Sequence, residues 1–418
     1  MIRSRKGFTL VELVIVMMVF MIVIAITTDA FKVILTQMIK VAKSEESNIE
    51  GVIGLEMFRH DLQQAGFGLP FSYLAPIEYY EAGYAPANSY NDGTGGATSA
   101  VPRAIVAGEE LGAVTSSDGS ASFNIVAGTD YLALKGSTLG MTAAAQRWTY
   151  LQYAQLPRTW ESGNLAQKDR VIVLKKTFTN ATYTNQLVFN PARRDIYWAE
   201  YDATGLADPA FNPTLPEEVY YIYGIRSHVT NAEVGMPFNR VDYFVARPQN
   251  AADMPAYCAP NTGNLYKGSL NHEDNPPGGR LTYIPLLDCV ADMQVIFGWD
   301  LDDGSGNEGQ DGAIDTYSTP LGAGGVITVQ PAGNMSRVTT AMADPERLRN
   351  ALKVVKVYLL VQNGRLSAGY TYPTSTVVLG NAAVDGITKT YTLSADARRY
   401  RWKTYQLVVS PKNLVANQ

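Results

Sequence analysis

Few side chains in this sequence are equipped for chemistry, and most of them are scattered. Its three histidines, His60, His228 and His272, stand far apart, in no metal-ligating spacing and beside no nucleophile motif. Neither a P-loop nor a dinucleotide fingerprint is present, since the Gly-rich runs have no strand-to-helix context. The chain therefore reads as a non-enzyme. The densest oxygen-bearing stretch is residues 300–315, where Asp303, Ser305, Asn307, Asp311 and Asp315 alternate with glycines. Such a set could wrap calcium, which takes six to eight oxygens in flexible geometry. The EF-hand template fits poorly: counted from Asp303, its obligatory glycine falls on Glu308 and its closing glutamate on Ile314, so Asp315 would have to close the loop. A solvated acidic turn is the competing reading. Two cysteines, Cys258 and Cys289, allow one disulfide if the head is exported, or two buried thiols if it is not. A zinc reading of them is poor, because His272 alone stands between them and two ligands are missing.

One further carboxylate is out of place. From Phe8 to Ile26 only Thr9 and Glu12 interrupt an apolar run of 19 residues. As a helix that run measures about 28 Å, the thickness of a bilayer's hydrocarbon core. Glu12 within it costs a few kcal/mol on insertion scales unless it has a partner, a function, or water at the interface. Arg3, Arg5 and Lys6 precede the run and hold that end in the cytoplasm by the positive-inside rule, sending the rest outward. A secretory signal would place its small-residue cleavage site after the apolar run. Here the small residue, Gly7, comes before it.

These residues carry a resemblance. Gly7-Phe8-Thr9-Leu10-Val11-Glu12-Leu13, behind a basic leader, resembles the class III signal of type IV prepilins and pseudopilins. That resemblance implies cleavage between Gly7 and Phe8 by a prepilin peptidase and N-methylation of the new Phe8 amine. It also implies a partner for Glu12, the Phe8 ammonium of a neighbouring subunit. A charge pair completed only between subunits would set their axial register.

The elements that must position these groups follow from patterning. No proline occurs between Phe8 and Leu69, and apolar residues continue at Phe31, Leu35, Met38, Ile49, Val52, Leu55, Phe58, Leu62 and Ala65, mostly three or four apart. This predicts an amphipathic helix extending the span and stopping near Ala65-Gly66, a rod of roughly 85 Å. Gly51 and Gly54 are its weak points, where close packing and local unwinding compete with simple tolerance. Beyond residue 70 the chain reads as strands at 130–134, 170–174, 186–189, 219–226, 241–247, 293–297, 354–361, 377–379, 389–393 and 400–409, rich in Val, Ile, Tyr and Phe. Residues 83–122 and 300–342 read as long loops or insertions at an exposed end. The 25 tyrosines are read chiefly as strand residues facing core or interface, with an adhesive surface as the alternative. The expected class is thus α+β, a long transmembrane and amphipathic helix packed on a β-rich pilin-like head with large loop insertions. Its divisions are a leader at 1–7, a membrane span at 8–26, an amphipathic extension at 27–69 and a head at 70–418.

The head narrows the resemblance. Phe58-Arg59-His60-Asp61-Leu62-Gln63-Gln64-Ala65-Gly66-Phe67-Gly68 is similar to the helix-closing segment of PilW-type minor pilins, and Asp130-Tyr131-Leu132-Ala133-Leu134 to that family's first head strand. Tyr221-Ile222-Tyr223-Gly224-Ile225-Arg226 and Leu265-Tyr266-Lys267 are similar to later strands. Leu286-Leu287-Asp288-Cys289-Val290-Ala291-Asp292-Met293-Gln294-Val295 resembles a further conserved-looking stretch of that family, with Cys289 where a glycine is common. The resemblance implies an initiation or tip complex with other minor pilins and the major pilin, joined through the N-terminal helix, and a tip adhesin as a further partner. It implies a single-pass inner-membrane protein with a periplasmic head, then a surface pilus subunit. A J-type pseudopilin of type II secretion shares the signal, and an adhesive or calcium-binding module carried on a pilus is the reading from another class. With a net charge of -5, nothing in the composition suggests a nucleic-acid partner.

Overall fold

The computed structural model describes residues 10–93, 100–117, 122–179, 182–194, 196–228, 234–272, 278–366 and 369–415. The chain divides into two compact units, residues 1–52 and 53–418. The first is the leading part of one helix, Leu10–Gln64. Within it Leu10–Asp29 is long and apolar enough to cross a membrane, and its large side chains are exposed. The second unit is the β-rich head, which confirms the α+β class.

The last turns of the helix belong to the head, and their residue types explain how they are held. Leu55, Phe58, Leu62 and Ala65 recur at helical spacing and are buried. Phe58 stacks on Tyr243 with ring centroids 3.9 Å apart. Beside it the buried Asp61 accepts a hydrogen bond from the Tyr243 hydroxyl at 2.6 Å and pairs with Lys267 Nζ at 2.5 Å. Gly54 lies against Leu286, where a Cβ would stand 2.5 Å from the Leu286 carbonyl oxygen. Close packing, and not tolerance, is therefore what that glycine serves. The helix stops because Gly66 takes φ +84° and sends its N–H to the Lys135 carbonyl.

Beneath this helix end lies a twelve-stranded sheet. Its centre runs Ile105–Glu109, Tyr131–Gly136, Asn239–Pro248, Gly263–Leu270 and Leu281–Trp299, all antiparallel neighbours. The 19-residue strand Leu281–Trp299 changes partner along its length, pairing Gly263–Leu270 in its first half and Leu352–Asn363 in its second. Both registers shift around residues 287–292, the mark of a bulge. A second sheet runs Ser72–Tyr73, Thr182–Val188, Arg170–Thr179, Val219–Arg226 and Trp148–Gln152, with its own core of Leu151, Val171, Val173, Phe211 and Ile222. A hairpin of Thr376–Gly380 and Thr388–Thr392 buries Leu379 and Ile387 with Tyr358 and Leu360 of the large sheet.

Each of the ten expected stretches overlaps an observed strand. The two stretches expected as exposed loops are corrected. Residues 83–122 contribute an inner strand, Ile105–Glu109, and residues 87–92 are drawn into the head by buried charges described below. Residues 300–342 contain strands Thr316–Ser318, Leu321–Gly322 and Val329–Gln330 and the helix Met335–Ala343. Their Gly, Ser and Thr content hides short edge strands, whose stability comes from the sheet they join and not from propensity.

Candidate functional site

Glu12 sits in the first turns of the apolar helix, and Gly7 and Phe8 lie outside the described residues. On one side of Glu12 the basic leader precedes the helix in sequence, and on the other the span continues to Asp29 without another Asp, Glu, Lys or Arg. Thr27 and Thr28 turn their hydroxyls back onto the carbonyls of Val23 and Ile24, which satisfies them within the helix. A carboxylate at this position can accept a cation in a low-dielectric setting.

In the acidic loop, Asp303 accepts the backbone N–H groups of Ser305 and Asn307 and the Asn307 side-chain amide. Asp311 accepts from Ala313 N, and Asp315 from Leu301 N, Asp302 N and Thr316 Oγ1. Asp300, buried at the loop's base, accepts from Asp311 N and Gly312 N and lies 3.3 Å from Lys353 Nζ. These carboxylates are turned inward to cap turns. Among the described residues no group of three or more His, Cys, Asp or Glu is placed to hold a metal ion. Asp303, Asp311 and Asp315 thus each accept at least one backbone N–H group of the loop.

Cys258 and Cys289 form a disulfide with Cα atoms 5.1 Å apart. Cys289 sits at the bulge of the long strand with φ +54°. That left-handed conformation is one that favours glycine over a residue with a side chain. The bridge ties residues 250–262 to the sheet, where Gln362 accepts a hydrogen bond from Ala259 N and donates one to the Tyr257 carbonyl.

The histidines are structural or exposed. His272 is buried with Nε2 2.9 Å from Asn239 Oδ1, and burial, then the nearby Arg226 charge, brings its pKa down to about 3. His60 and His228 are exposed. Many tyrosines take the core positions expected of them, Tyr79, Tyr131 and Tyr243 among them.

A buried ionic network was not foreseen. Arg240, fully buried, grips Asp242 with Nε and Nη2 at 2.7 and 2.8 Å and reaches Glu81 at 2.9 Å, Asn91 at 2.7 Å and the Ala87 carbonyl at 2.8 Å. Lys135 joins Glu81 at 2.8 Å to Asp92 at 2.6 Å, and Asp92 in turn holds Arg103. Burial works against the Arg240 charge, but Asp242 and Glu81 more than offset it and hold its pKa above the ordinary range. Three acids and three bases close the network without leftover charge. Its role is to pin residues 81–92 and Arg103 to the sheet, because isolating Glu81, Lys135, Arg240 or Asp242 would leave a buried charge. Its bonded partners are up to 159 residues apart, so no local pattern announces it.

The family described as the prokaryotic N-terminal methylation motif matches residues 2–28. The chain therefore carries a type IV pilin-like prepilin signal, which implies processing by a prepilin peptidase and assembly with other pilins. Signal and apolar helix together fit membrane anchoring and pilus assembly. No curated protein and no solved structure matches the chain.

Proposed function

We propose that this protein is a minor pilin of the PilW type, a structural subunit of the complex that initiates or tips a type IV pilus. The observation that carries the reading is the prepilin signal across residues 2–28, leading into an apolar helix and a head of more than 350 residues. Cleavage after Gly7 would create a cationic, N-methylated Phe8, and Glu12 of a neighbouring subunit would neutralise it in the apolar bundle. The subunit would wait in the inner membrane with its head in the periplasm, then pass to the cell surface in the filament. Bulky heads are easiest to accommodate where no subunit stacks above them, which favours the tip over the shaft. The helix-closing segment supports the PilW assignment, because its Phe58 and Asp61 are the groups that anchor helix to sheet.

Deleting the gene should abolish or sharply reduce surface piliation and twitching. Unchanged piliation would overturn the proposal. Loss of a secreted substrate with intact pili would select the J-type pseudopilin, which shares the same signal. Mass spectrometry of the membrane-extracted protein and its copurifying partners should find a chain beginning at methylated Phe8, bound to other minor pilins.

A further inference from the structure

On the head, away from the N-terminal helix in sequence, an open groove of about 960 Å3 lies between the start of Ser122–Ile125, the end of Asn239–Pro248, and the strands Gly263–Leu270 and Leu281–Trp299. Phe123 packs edge-on against Tyr266 and tilted against Tyr283, with centroids 4.7 and 4.6 Å away, and all three rings line the groove. Phe123 and Tyr266 are buried, so the half-buried Tyr283 is the ring that reaches the groove surface. The remaining lining mixes Leu281 and three prolines with polar groups, among them the amides of Asn264 and Asn271, the Thr282 hydroxyl, the carboxyls of Asp253 and Asp288 and the exposed Arg280 guanidinium.

One of these groups is incomplete. Asn264 is 3% exposed, and its Oδ1 has no hydrogen-bond partner among the described residues. A buried carbonyl oxygen without a donor costs about 1–3 kcal/mol, and a ligand hydroxyl would supply that donor. Asn271 and Thr282 exchange hydrogen bonds at 3.1 and 3.2 Å, so a matched donor and acceptor pair stands ready on the same wall. Asp288 accepts from the Tyr257 hydroxyl at 3.2 Å, which holds its carboxyl in place.

We propose that this groove binds an uncharged oligosaccharide. Aromatic ring faces accept the apolar C–H faces of a sugar, as they accept other flat apolar groups. Amides, a hydroxyl and a carboxylate answer hydroxyls that donate and accept at once. Two carboxylates and one guanidinium among the lining side chains make it unsuited to phosphate or polyanions, and an open groove suits a chain more than a compact metabolite. The inference is independent of the filament reading, since it concerns only the head's own surface.

The test uses the full chain in a detergent without a sugar headgroup, such as lauryldimethylamine oxide. Saturation-transfer NMR would be recorded with maltohexaose, chitotetraose and lacto-N-tetraose as neutral probes, polygalacturonate as an anionic one, and tetra-alanine as a peptide one. At least one neutral oligosaccharide should bind, with an affinity unchanged in 0.5 M NaCl. Tyr283→Ala should weaken it about tenfold, equivalent to about 1.4 kcal/mol. Thr282→Ala, at an exposed residue whose loss leaves the core intact, should weaken it in the same direction and serves if Tyr283→Ala fails to fold. Absence of binding by all three neutral probes, binding indifferent to both substitutions, salt-sensitive binding of polygalacturonate alone, or binding of tetra-alanine alone would each overturn the proposal.

Discussion

At the scale of single residues, the head is governed by groups whose surroundings oppose their ordinary ionisation. Asp292 is buried beneath Lys389, which lies 3.3 Å away and comes from the Thr388–Thr392 strand. Burial raises its pKa to about 6, with Lys389 and Gln294 only partly opposing the shift. A carboxyl with a raised folded-state pKa binds its proton more tightly folded than unfolded. Its contribution to stability is therefore complete below about pH 4 and is lost as pH rises through 6. His272 acts in the opposite sense: its pKa, lowered to about 3, makes acidification below about 6.5 destabilising. The diagnostic is consequently a difference curve. Unfolding free energies of wild type and Asp292→Asn, measured by denaturant titration at half-unit steps from pH 4 to 7, should diverge by about 2–3 kcal/mol across that range, wild type losing ground as pH rises. Cys289 gives a second residue-scale expectation. Opening the 31-residue separation of the disulfide should cost about 3–4 kcal/mol by loop entropy. Because φ at 289 is +54°, the Cys258→Ser, Cys289→Gly double variant should be more stable than Cys258→Ser, Cys289→Ser by about 1 kcal/mol, read as a shift in denaturation midpoint.

At the scale of elements, the decisive contact is between the end of the first helix and the large sheet. Its apolar residues guarantee burial somewhere, while Gly54, Phe58 and Asp61 select the place. Gly54→Val would press its side chain into the Leu286 carbonyl and should cost about 1–3 kcal/mol in chemical denaturation. Asp61→Ala would strand Lys267, whose side chain is nine-tenths buried, and leave the Tyr243 hydroxyl without its acceptor. A loss of about 3–5 kcal/mol is expected by the same measurement. Legibility at this scale followed the strength of local patterns. Val219–Arg226 alternates and was legible to the residue, whereas Ile105–Glu109 lies in a Gly- and Ala-rich stretch and becomes a strand only because Tyr131–Gly136 pairs with it. The candidate calcium loop shows the converse. Its composition suits an ion, and Asp303 and Asp315 also accept backbone N–H groups, a disposition set by turn geometry and invisible in composition.

At the scale of the whole molecule, the proposed function rests on the N-terminal segment. Glu12→Ala should leave membrane insertion intact, because it removes a charge from an apolar span, and should reduce incorporation into filaments. Shear-released pili and membrane fractions, blotted for the protein, would show it retained in the membrane and depleted from pili. Glu12→Asp would test whether charge alone is enough or whether its reach matters.

The sequence by itself determined the membrane-length helix, the prepilin signal with its single carboxylate, the α+β class and the cysteine pair. Each is a local or compositional property: an apolar run, a motif of seven residues, an alternation, a count of two. Only the tertiary structure decided that Gly54 is a close approach, that Cys289 occupies a left-handed bulge, and that six charges from Glu81 to Asp242, four of them buried, close one network. It also decided that the acidic loop caps itself, and that an aromatic groove is left with one amide oxygen unmet. These depend on which distant residues are neighbours, and that is settled by the joint packing of the whole sheet and not by any segment read alone.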